Sequence, residues 1–347
     1  MSDAPLPPLT EFCTSLGLDI RLTKSMQRLS YTHPTLVQHS AIPLLLDGKD
    51  VLMQSDTGTG KTIGYLVPFL EKVLRGRDAG GADGSDDGDE DGKKTALMII
   101  LPTRDLVSQV AATVRQLLYY LEDAVPEAVE LLKPGKGEEG TRKVTEARLR
   151  TTPAIVVGTP SGVLEYKDSL DLSSLQSLVI DEADLLLSHG YAESLQSLLK
   201  LLPPILQTCL VSATLTSDVA KLKRVMLHKP AVVKLKRQEG GRLKQFYLDV
   251  GSAQDKLLVT YVFLKLGVIQ GRVIIFTSGA QESYRVKLFL EQFGMRSGVL
   301  SGQMTGRHRV EVCDRFNSGG FDILITEDWE DEEEMDDDEE EEEEEEE

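Results

Sequence analysis

The sequence predicts an α/β protein whose domains are built on parallel β-sheets. Short runs of valine, isoleucine and leucine alternate with longer stretches of helical periodicity. Strands that are apolar on both faces are typical of parallel sheets covered by helices on each side. With 347 residues, 41% of them hydrophobic, the chain is long enough for two α/β cores.

The predicted strands fall into two groups. Six buried strands are expected first, at Asp50–Ser55, Ala96–Leu101, Ala154–Gly158, Leu178–Asp181, Thr208–Ser212 and Ala231–Lys236. A basic stretch with two adjacent glycines follows and has the composition of a linker. The pattern then restarts, with strands expected at Phe246–Val250, Val273–Phe276, Gly298–Leu300 and Asp322–Thr326.

This alternation divides the chain into five parts. They are an N-terminal segment at 1–40, a first domain at 41–236, a linker at 237–244, a second domain at 245–326 and a tail at 327–347. The second domain has only about 80 residues, fewer than the ~100 to 150 of a usual domain. It is therefore either small or cut short.

The net charge of −19 comes from two acidic segments. In the tail, 19 of the 21 residues from Glu327 to Glu347 are acidic, and an insert at 78–94 is rich in aspartate and glycine. The insert has the composition of a solvated loop, and the tail that of disordered chain. Without the tail, acids and bases balance, and without the insert at Asp78–Gly92 as well the rest of the chain carries about +7, so the low pI does not argue against a polyanionic ligand on the folded part.

The cysteines and the N-terminus restrict the compartment. Cys13, Cys209 and Cys313 lie far apart and have no metal-binding spacing, which excludes a disulfide framework and argues against a zinc site. The sequence shows neither a signal-peptide pattern nor 18 uninterrupted apolar residues. We therefore expect a reducing compartment and no membrane association.

A phosphate-binding loop is predicted between the first strand and the helix after it. Backbone amides of such a glycine-rich loop surround phosphate oxygens, while Lys61 reaches the β- and γ-phosphates and the Thr62 hydroxyl ligates Mg²⁺. A serine replaces the first glycine of the general pattern, and a plain helix-capping turn is the alternative interpretation. The predicted nucleotide contacts are Ser55, Thr57, Gly58, Thr59, Gly60, Lys61 and Thr62.

Carboxylates follow a second predicted strand, at Asp181 and Glu182. Asp181 is expected in the Mg²⁺ shell, and Glu182 is expected to orient or deprotonate an attacking water. Acidic residues also commonly begin loops at strand ends, so this pair alone is weak. Together with Lys61 and Thr62 it predicts hydrolysis of a nucleoside triphosphate bound with Mg²⁺.

The run Asp181-Glu182-Ala183-Asp184 resembles the signature of the DEAD-box RNA helicases, and other elements follow in that family's order. The resemblance implies that the Gln38 amide reads the adenine edge while Phe12 and Tyr31 stack. It also implies that the hydroxyls of Ser212 and Thr214 couple the carboxylates to RNA binding. The RNA contacts that it implies are Pro102, Thr103, Arg104, Thr159, Pro160, Thr277 and Arg309.

The resemblance implies two RecA-like domains in tandem, the second incomplete, acting as an ATP-dependent RNA helicase with ATP and Mg²⁺ as cofactors. The acidic run at the end is similar to an insertion in the nucleolar subgroup that assembles the large ribosomal subunit. That similarity implies pre-ribosomal RNA and ribosome-assembly proteins as partners, with location in the nucleus and nucleolus. We expect a monomer.

Two departures from the family pattern matter. The family has an arginine where this chain has Gly162, so one RNA contact is missing. The family's arginine-rich elements do not follow Ile323–Asp328, so we expect the chain to hydrolyse ATP ~10³-fold more slowly than an extended form. Either the sequence stops inside an acidic insertion, as a fragment would, or the gene ends here.

The alternative function is a nucleotide- and RNA-binding module without turnover, whose tail docks basic partners.

Overall fold

The computed structural model of the protein describes residues 6–80, 95–121, 125, 128–134, 139–235 and 244–327. The chain separates into two compact units, Met1–Glu239 and Gly240–Glu347. Most of the acidic insert and the tail beyond Glu327 lie outside the described residues, so their predicted disorder stays a prediction.

The first unit contains a parallel sheet of seven strands. They are β1 (Val51–Gln54), β2 (Leu97–Ile100), β3 (Val129–Leu131), β4 (Ile155–Gly158), β5 (Ser177–Ile180), β6 (Gln207–Ser212) and β7 (Ala231–Lys234). Their order across the sheet is β3-β4-β2-β5-β6-β1-β7. The predicted α/β class is confirmed, although β3, a short strand at the edge, was not predicted from the sequence.

Ten helices described in this unit cover both faces of the sheet. They are α1 (Leu9–Ser15), α2 (Ile20–Arg28), α3 (Leu36–Leu46), α4 (Lys61–Gly80), α5 (Arg104–Leu117), α6 (Glu139–Leu149), α7 (Pro160–Glu165), α8 (Ala183–Ser188), α9 (Ala192–Leu199) and α10 (Ser217–Met226). Within β2, Ile99 points into a core formed with α1 to α5, whereas Met98 and Ile100 point into a core formed with α6 to α10. The sheet is thus the middle layer of three.

The second unit has a smaller parallel sheet. Its described elements are α11 (Ala253–Lys265), β8 (Val273–Thr277), α12 (Ala280–Gln292), β9 (Ser297–Leu300), α13 (Gly306–Asn317) and β10 (Ile323–Glu327). The strand order is β8-β10-β9, which adds a second parallel sheet as predicted. Helices α11 and α12 pack on one face, and Phe316 of α13 packs on the other.

The strand predicted at Phe246–Val250 is wrong. This segment has no regular secondary structure, and the side chains of Phe246 and Tyr247 are 91% and 90% exposed. β-propensity produces a strand only where a neighbouring strand supplies hydrogen-bond partners and a core receives the apolar side chains. In the part of the chain that the structure describes, this segment has neither a neighbouring strand nor a core to receive its side chains.

No helix among the described residues is both long enough and apolar enough to cross a bilayer.

Candidate functional site

The sequence-predicted residues of the first unit meet at one edge of its sheet. All its strands run parallel, so the turns that follow them lie at the same edge, which is where α/β proteins bind ligands. The loop after β1 begins with Ser55, and the turn after β5 begins with Asp181. The other turns at this edge supply Pro102 after β2, Thr159 after β4 and Ala213 after β6.

The loop between β1 and α4 needs its glycines. Gly58 and Gly60 have φ values of +76° and +88°, a region that side chains with a Cβ disfavour. A Cβ on Gly60 would also lie 2.5 Å from the Gln38 amide nitrogen. Within the loop, the hydroxyls of Ser55 and Thr59 lie 2.8 Å apart. The backbone therefore has the compact turn that a phosphate-binding loop requires.

Lys61 is the buried cation of the site. Its Nζ donates a 2.9 Å hydrogen bond to the Ser55 carbonyl and lies 3.7 Å from Oε1 of Glu182. The strand-end carboxylate is thus brought to the loop lysine across 121 residues of sequence, as the prediction required. In this arrangement the Ser55 carbonyl and Glu182 are the partners of the Lys61 ammonium, and phosphate oxygens of a bound nucleotide would replace them.

Asp181 is only 5% exposed, and both of its oxygens are hydrogen-bonded. Oδ1 accepts from the Glu182 amide at 2.9 Å, and Oδ2 accepts from the Tyr65 hydroxyl at 2.8 Å. Burial raises the pKa of Asp181 and also that of Glu182 above their usual ranges. Raised basicity suits Glu182 to accepting a proton from water.

A third carboxylate, Asp184, connects this site to the end of β6. Its Oδ2 accepts from the amide and the hydroxyl of Thr214, at 2.8 and 2.7 Å, while the Ser212 hydroxyl donates to the Thr214 carbonyl. Burial raises the pKa of Asp184, but the hydrogen bonds from Thr214 outweigh burial and leave it lowered. Of the predicted hydroxyl pair, Thr214 therefore contacts a carboxylate directly, and Ser212 contacts Thr214.

Gln38 is held between a helix start and the phosphate loop. It forms a capping box with Thr35, in which each side chain bonds the other residue's amide, at 2.9 and 3.3 Å. Its Nε2 also donates to the Gly60 carbonyl at 3.1 Å. One amide hydrogen and one oxygen lone pair remain for a ligand. The capping pattern is a local role for Gln38 that the sequence analysis did not consider.

The two aromatic residues assigned to the base differ in placement. Tyr31 is partly exposed, whereas Phe12 is buried and stacks on His39 with ring centres 5.3 Å apart. Stacking of Phe12 and Tyr31 on a base stays a prediction.

The candidate RNA contacts of the first unit lie at helix starts on the same edge. The Thr103 hydroxyl caps α5 and the Thr159 hydroxyl caps α7, while the Arg104 guanidinium donates to the Lys133 carbonyl. Pro102 and Pro160 are buried.

Gly162 gives the missing arginine a steric explanation. A Cβ at this position would overlap the Leu131 carbonyl oxygen of β3. With β3 following its present path, no larger side chain fits there. This agrees with the departure that the sequence shows.

The carboxyl edge of the second sheet has its own polar cluster. Buried Glu327 accepts from the Ser283 and Ser301 hydroxyls, at 2.9 and 2.6 Å, and from the Gly302 amide at 3.3 Å. The Thr277 hydroxyl lies 2.6 Å from that of Ser283. Arg309, in α13, is also buried.

Glu327 and Tyr65 were not predicted as members of these edges. Their signals were an acid ending an apolar strand, and a tyrosine one helical turn after Lys61.

The donor set fits a nucleotide with a divalent metal. Asp181 and Thr62 supply hard oxygen ligands beside a buried lysine. Within the described ranges, no group of three or more histidine, cysteine or acidic side chains is placed to hold a metal ion. A metal held here therefore needs further ligands, such as phosphate oxygens and water, which is the usual coordination of Mg²⁺.

Comparison with known proteins agrees with this geometry. The profile of the family described as DEAD/DEAH box helicase matches residues 35–222, and that of the helicase conserved C-terminal domain matches residues 255–329. The ATP-dependent RNA helicase dbp9 of Botryotinia fuckeliana is 39% identical over 322 residues, and that of Aspergillus niger is 41% identical. These matches cover 90% of this chain but 50% and 49% of those proteins. The chain thus spans about half the length of these relatives.

Among solved structures, S. cerevisiae Dbp5 bound to RNA and ADP BeF3 is similar in fold. The TM-score is 0.72 at 23% identity, covering 91% of this chain and 75% of that one. The resemblance found in the sequence is confirmed by the family profile, which matches more than half of the chain. The chain belongs to the DEAD/DEAH box helicase family.

Proposed function

We propose that this chain forms the nucleotide- and RNA-binding core of an ATP-dependent RNA helicase. The observation that carries the proposal is the convergence of the loop lysine Lys61 with Glu182 and Asp181 at one edge of the first sheet. Members of the family use ATP with a divalent metal, and the relatives named above are RNA helicases.

The residues have separate tasks in this proposal. Lys61 leaves the Ser55 carbonyl and Glu182 to bind the phosphates, and Thr62 and Asp181 hold Mg²⁺, which neutralises phosphate charge. Glu182 then accepts the proton of the attacking water. Its raised pKa favours this role because a more basic carboxylate is a stronger proton acceptor.

Recognition of adenine is assigned to Gln38. Its remaining amide hydrogen and oxygen lone pair match the acceptor N7 and the donor N6 of adenine. Guanine presents an acceptor where adenine presents N6, so a guanine base would leave the Gln38 oxygen facing a carbonyl. Because Gln38 also bonds Gly60, base recognition and the phosphate loop are mechanically linked.

RNA binding is assigned to the turns on the same edges. In the first unit these residues are Thr103, Arg104 and Thr159 at the starts of α5 and α7. In the second unit they are Thr277 at the end of β8 and Arg309 in α13. Hydroxyls, helix starts and guanidinium groups are typical ligands of phosphate oxygens. The contact of Thr214 with Asp184 gives RNA binding a route to the carboxylates.

We further propose pre-ribosomal RNA as the substrate, ribosome-assembly proteins as partners, and a monomer located in the nucleus and nucleolus. The support is the similarity of the acidic run to the insertion of the nucleolar subgroup. The alternative is binding of nucleotide and RNA without turnover.

The first test is a titration of labelled ADP and GDP. We expect the chain to prefer ADP, Gln38→Ala to abolish that preference, and Lys61→Ala to weaken both nucleotides by roughly 30-fold or more, as expected for losing a buried charge partner. Lys49→Ala is the matched control, because Lys49 is exposed and pairs with Asp47. Equal affinity of the unmodified chain for both nucleotides would reject the adenine assignment.

Turnover separates the two functions. In the helicase proposal, RNA stimulates ATP hydrolysis by a form extended through the family's arginine-rich elements, and Glu182→Gln removes that hydrolysis while ADP binding remains. Nucleotide and RNA binding by the extended form with no hydrolysis above background would favour the module without turnover.

A further inference from the structure

A tyrosine in the first unit contacts the carboxylate that we assign to the metal. Tyr65 has no exposed surface, and its hydroxyl donates a 2.8 Å hydrogen bond to Oδ2 of Asp181. Resting on the function proposed above, we propose that Tyr65 is a positioning residue of the Mg²⁺ site, fixing the orientation of the Asp181 carboxylate.

The position of Tyr65 in α4 connects it to the other site residues. It follows Lys61 by four residues and Thr62 by three, so all three lie on neighbouring positions of one helix face. The side chain crosses from α4 to the end of β5, joining segments that are 116 residues apart. The helix that carries the phosphate-loop lysine and threonine therefore also carries the group that holds Asp181.

Asp181 is held at two points and still has capacity for a ligand. Oδ1 accepts from the Glu182 amide and Oδ2 accepts from Tyr65. Since these oxygens lie on opposite sides of the carboxylate, rotation of the group would break both bonds. Each oxygen keeps one lone pair for a metal ion or a metal-bound water. Groups that orient a metal ligand in this way tune its metal affinity.

A purely structural role is the competing explanation, because a buried tyrosine hydroxyl needs a partner in any protein. The two explanations differ in what the hydroxyl affects. A structural bond contributes to the stability of the fold, and its loss leaves the dependence of nucleotide binding on Mg²⁺ unchanged. A positioning bond changes that dependence and acts through Asp181.

The experiment uses the full chain and labelled ADP. Affinity is measured in EDTA and at increasing free Mg²⁺ for the unmodified chain, Tyr65→Phe and Tyr166→Phe. Tyr166 is a buried tyrosine in the core on the other face of the sheet, and it controls for removing a buried tyrosine hydroxyl away from the site. Saturating nucleotide keeps the variants folded during companion Mn²⁺-binding measurements by electron paramagnetic resonance.

We expect Tyr65→Phe to need about tenfold more Mg²⁺ for half of the metal effect on ADP binding, the lower range for a group that orients a metal ligand. ADP affinity in EDTA should be unchanged, and Tyr166→Phe should resemble the unmodified chain. In the background of Asp181→Asn, Tyr65→Phe should add little, since the cycle isolates the shared contact.

The possible failures are distinguishable. If the unmodified chain does not bind ADP, the function proposed above fails first. If it binds ADP with a clear Mg²⁺ dependence that Tyr65→Phe leaves unchanged, or if the two substitutions act additively, Tyr65 is only a structural partner and the inference is overturned.

Discussion

Two strands with similar sequences end in different environments in the two units. In β2 of the first unit, the side chains of Leu97 to Ile100 are all fully buried. In β8 of the second unit, Ile274 and Phe276 are 50% and 74% exposed. The strand β2 lies between two neighbours and under helices on both faces, whereas β8, among the described residues, is an edge strand paired only with β10. An apolar run therefore indicates a parallel strand, but the surrounding layers decide how much of it is buried.

The buried carboxylates at the strand ends of the two units also differ, in the number of hydrogen bonds that they accept. Asp181 of the first unit has one donor on each oxygen. Glu327 of the second unit receives donors from Ser283, Ser301 and Gly302, so it joins α12 and the turn after β9 to β10. Asp181 thus keeps capacity for a ligand, while Glu327 serves mainly to fix its own loops.

The largest effect expected from this comparison is in the cores. Ile99→Ala in β2 should lower the free energy of unfolding of the first unit by about 2–5 kcal/mol, because it leaves a cavity in a fully packed core. Ile274→Ala in β8 removes the same atoms from a half-exposed site and should cost less than about 1 kcal/mol. Urea unfolding, followed by hydrogen exchange of peptides from each unit, measures both.

Equal costs for the two isoleucine substitutions would contradict the comparison. That result would mean that β8 is covered in solution by residues that the structure does not describe as packed on it.

Glycine substitutions provide a second, smaller contrast. Gly162→Ala places a Cβ against the Leu131 carbonyl, so β3 or α7 must shift, and we expect a loss of roughly 1–3 kcal/mol. Gly306→Ala, at the start of α13, meets no atom within 4 Å and should be neutral or stabilising by up to about 1 kcal/mol. Thermal unfolding of the two variants tests this contrast. A stable Gly162→Ala variant would show that β3 can move aside, and an arginine at this position would then be sterically acceptable.

Most of the fold was predictable because its signals are local. Buried strands and the phosphate loop depend on short runs of residues whose chemistry is specific. The edge strand β3 was missed because Val129–Leu131 is too short to show periodicity. The strand predicted at Phe246–Val250 failed for the opposite reason, since its apolar pattern is clear but no neighbouring strand or core is present for it in the described residues.

The residues of the site also divide into those that motifs predict and those that only tertiary packing brings together. Lys61, Asp181 and Glu182 were predictable from motifs, and the structure brings them together. The contact of Tyr65 with Asp181 was not, because it depends on the packing of α4 against β5 and no motif marks it. The burial of Phe12 against His39 is likewise a property of tertiary packing.

The smallest expected effect concerns Asp184, a partly exposed carboxylate of the first unit. Thr214→Val removes the hydroxyl that donates to Asp184 but keeps the side-chain shape and the backbone donor. The pKa of Asp184 is lowered in the folded chain, so its ionised form adds stability above its unfolded pKa of about 4, and this contribution is lost as pH falls through the folded pKa. After allowing for exposure, we expect the variant to be about 1 kcal/mol less stable at neutral pH. The difference in free energy of unfolding between the variant and the unmodified chain should shrink below about pH 4, because the protonated form of Asp184 has no charge for the Thr214 hydroxyl to stabilise. Urea unfolding across a pH series measures this difference, and a deficit that stays constant down to low pH would show that the Thr214 hydroxyl acts through packing and not through the charge of Asp184.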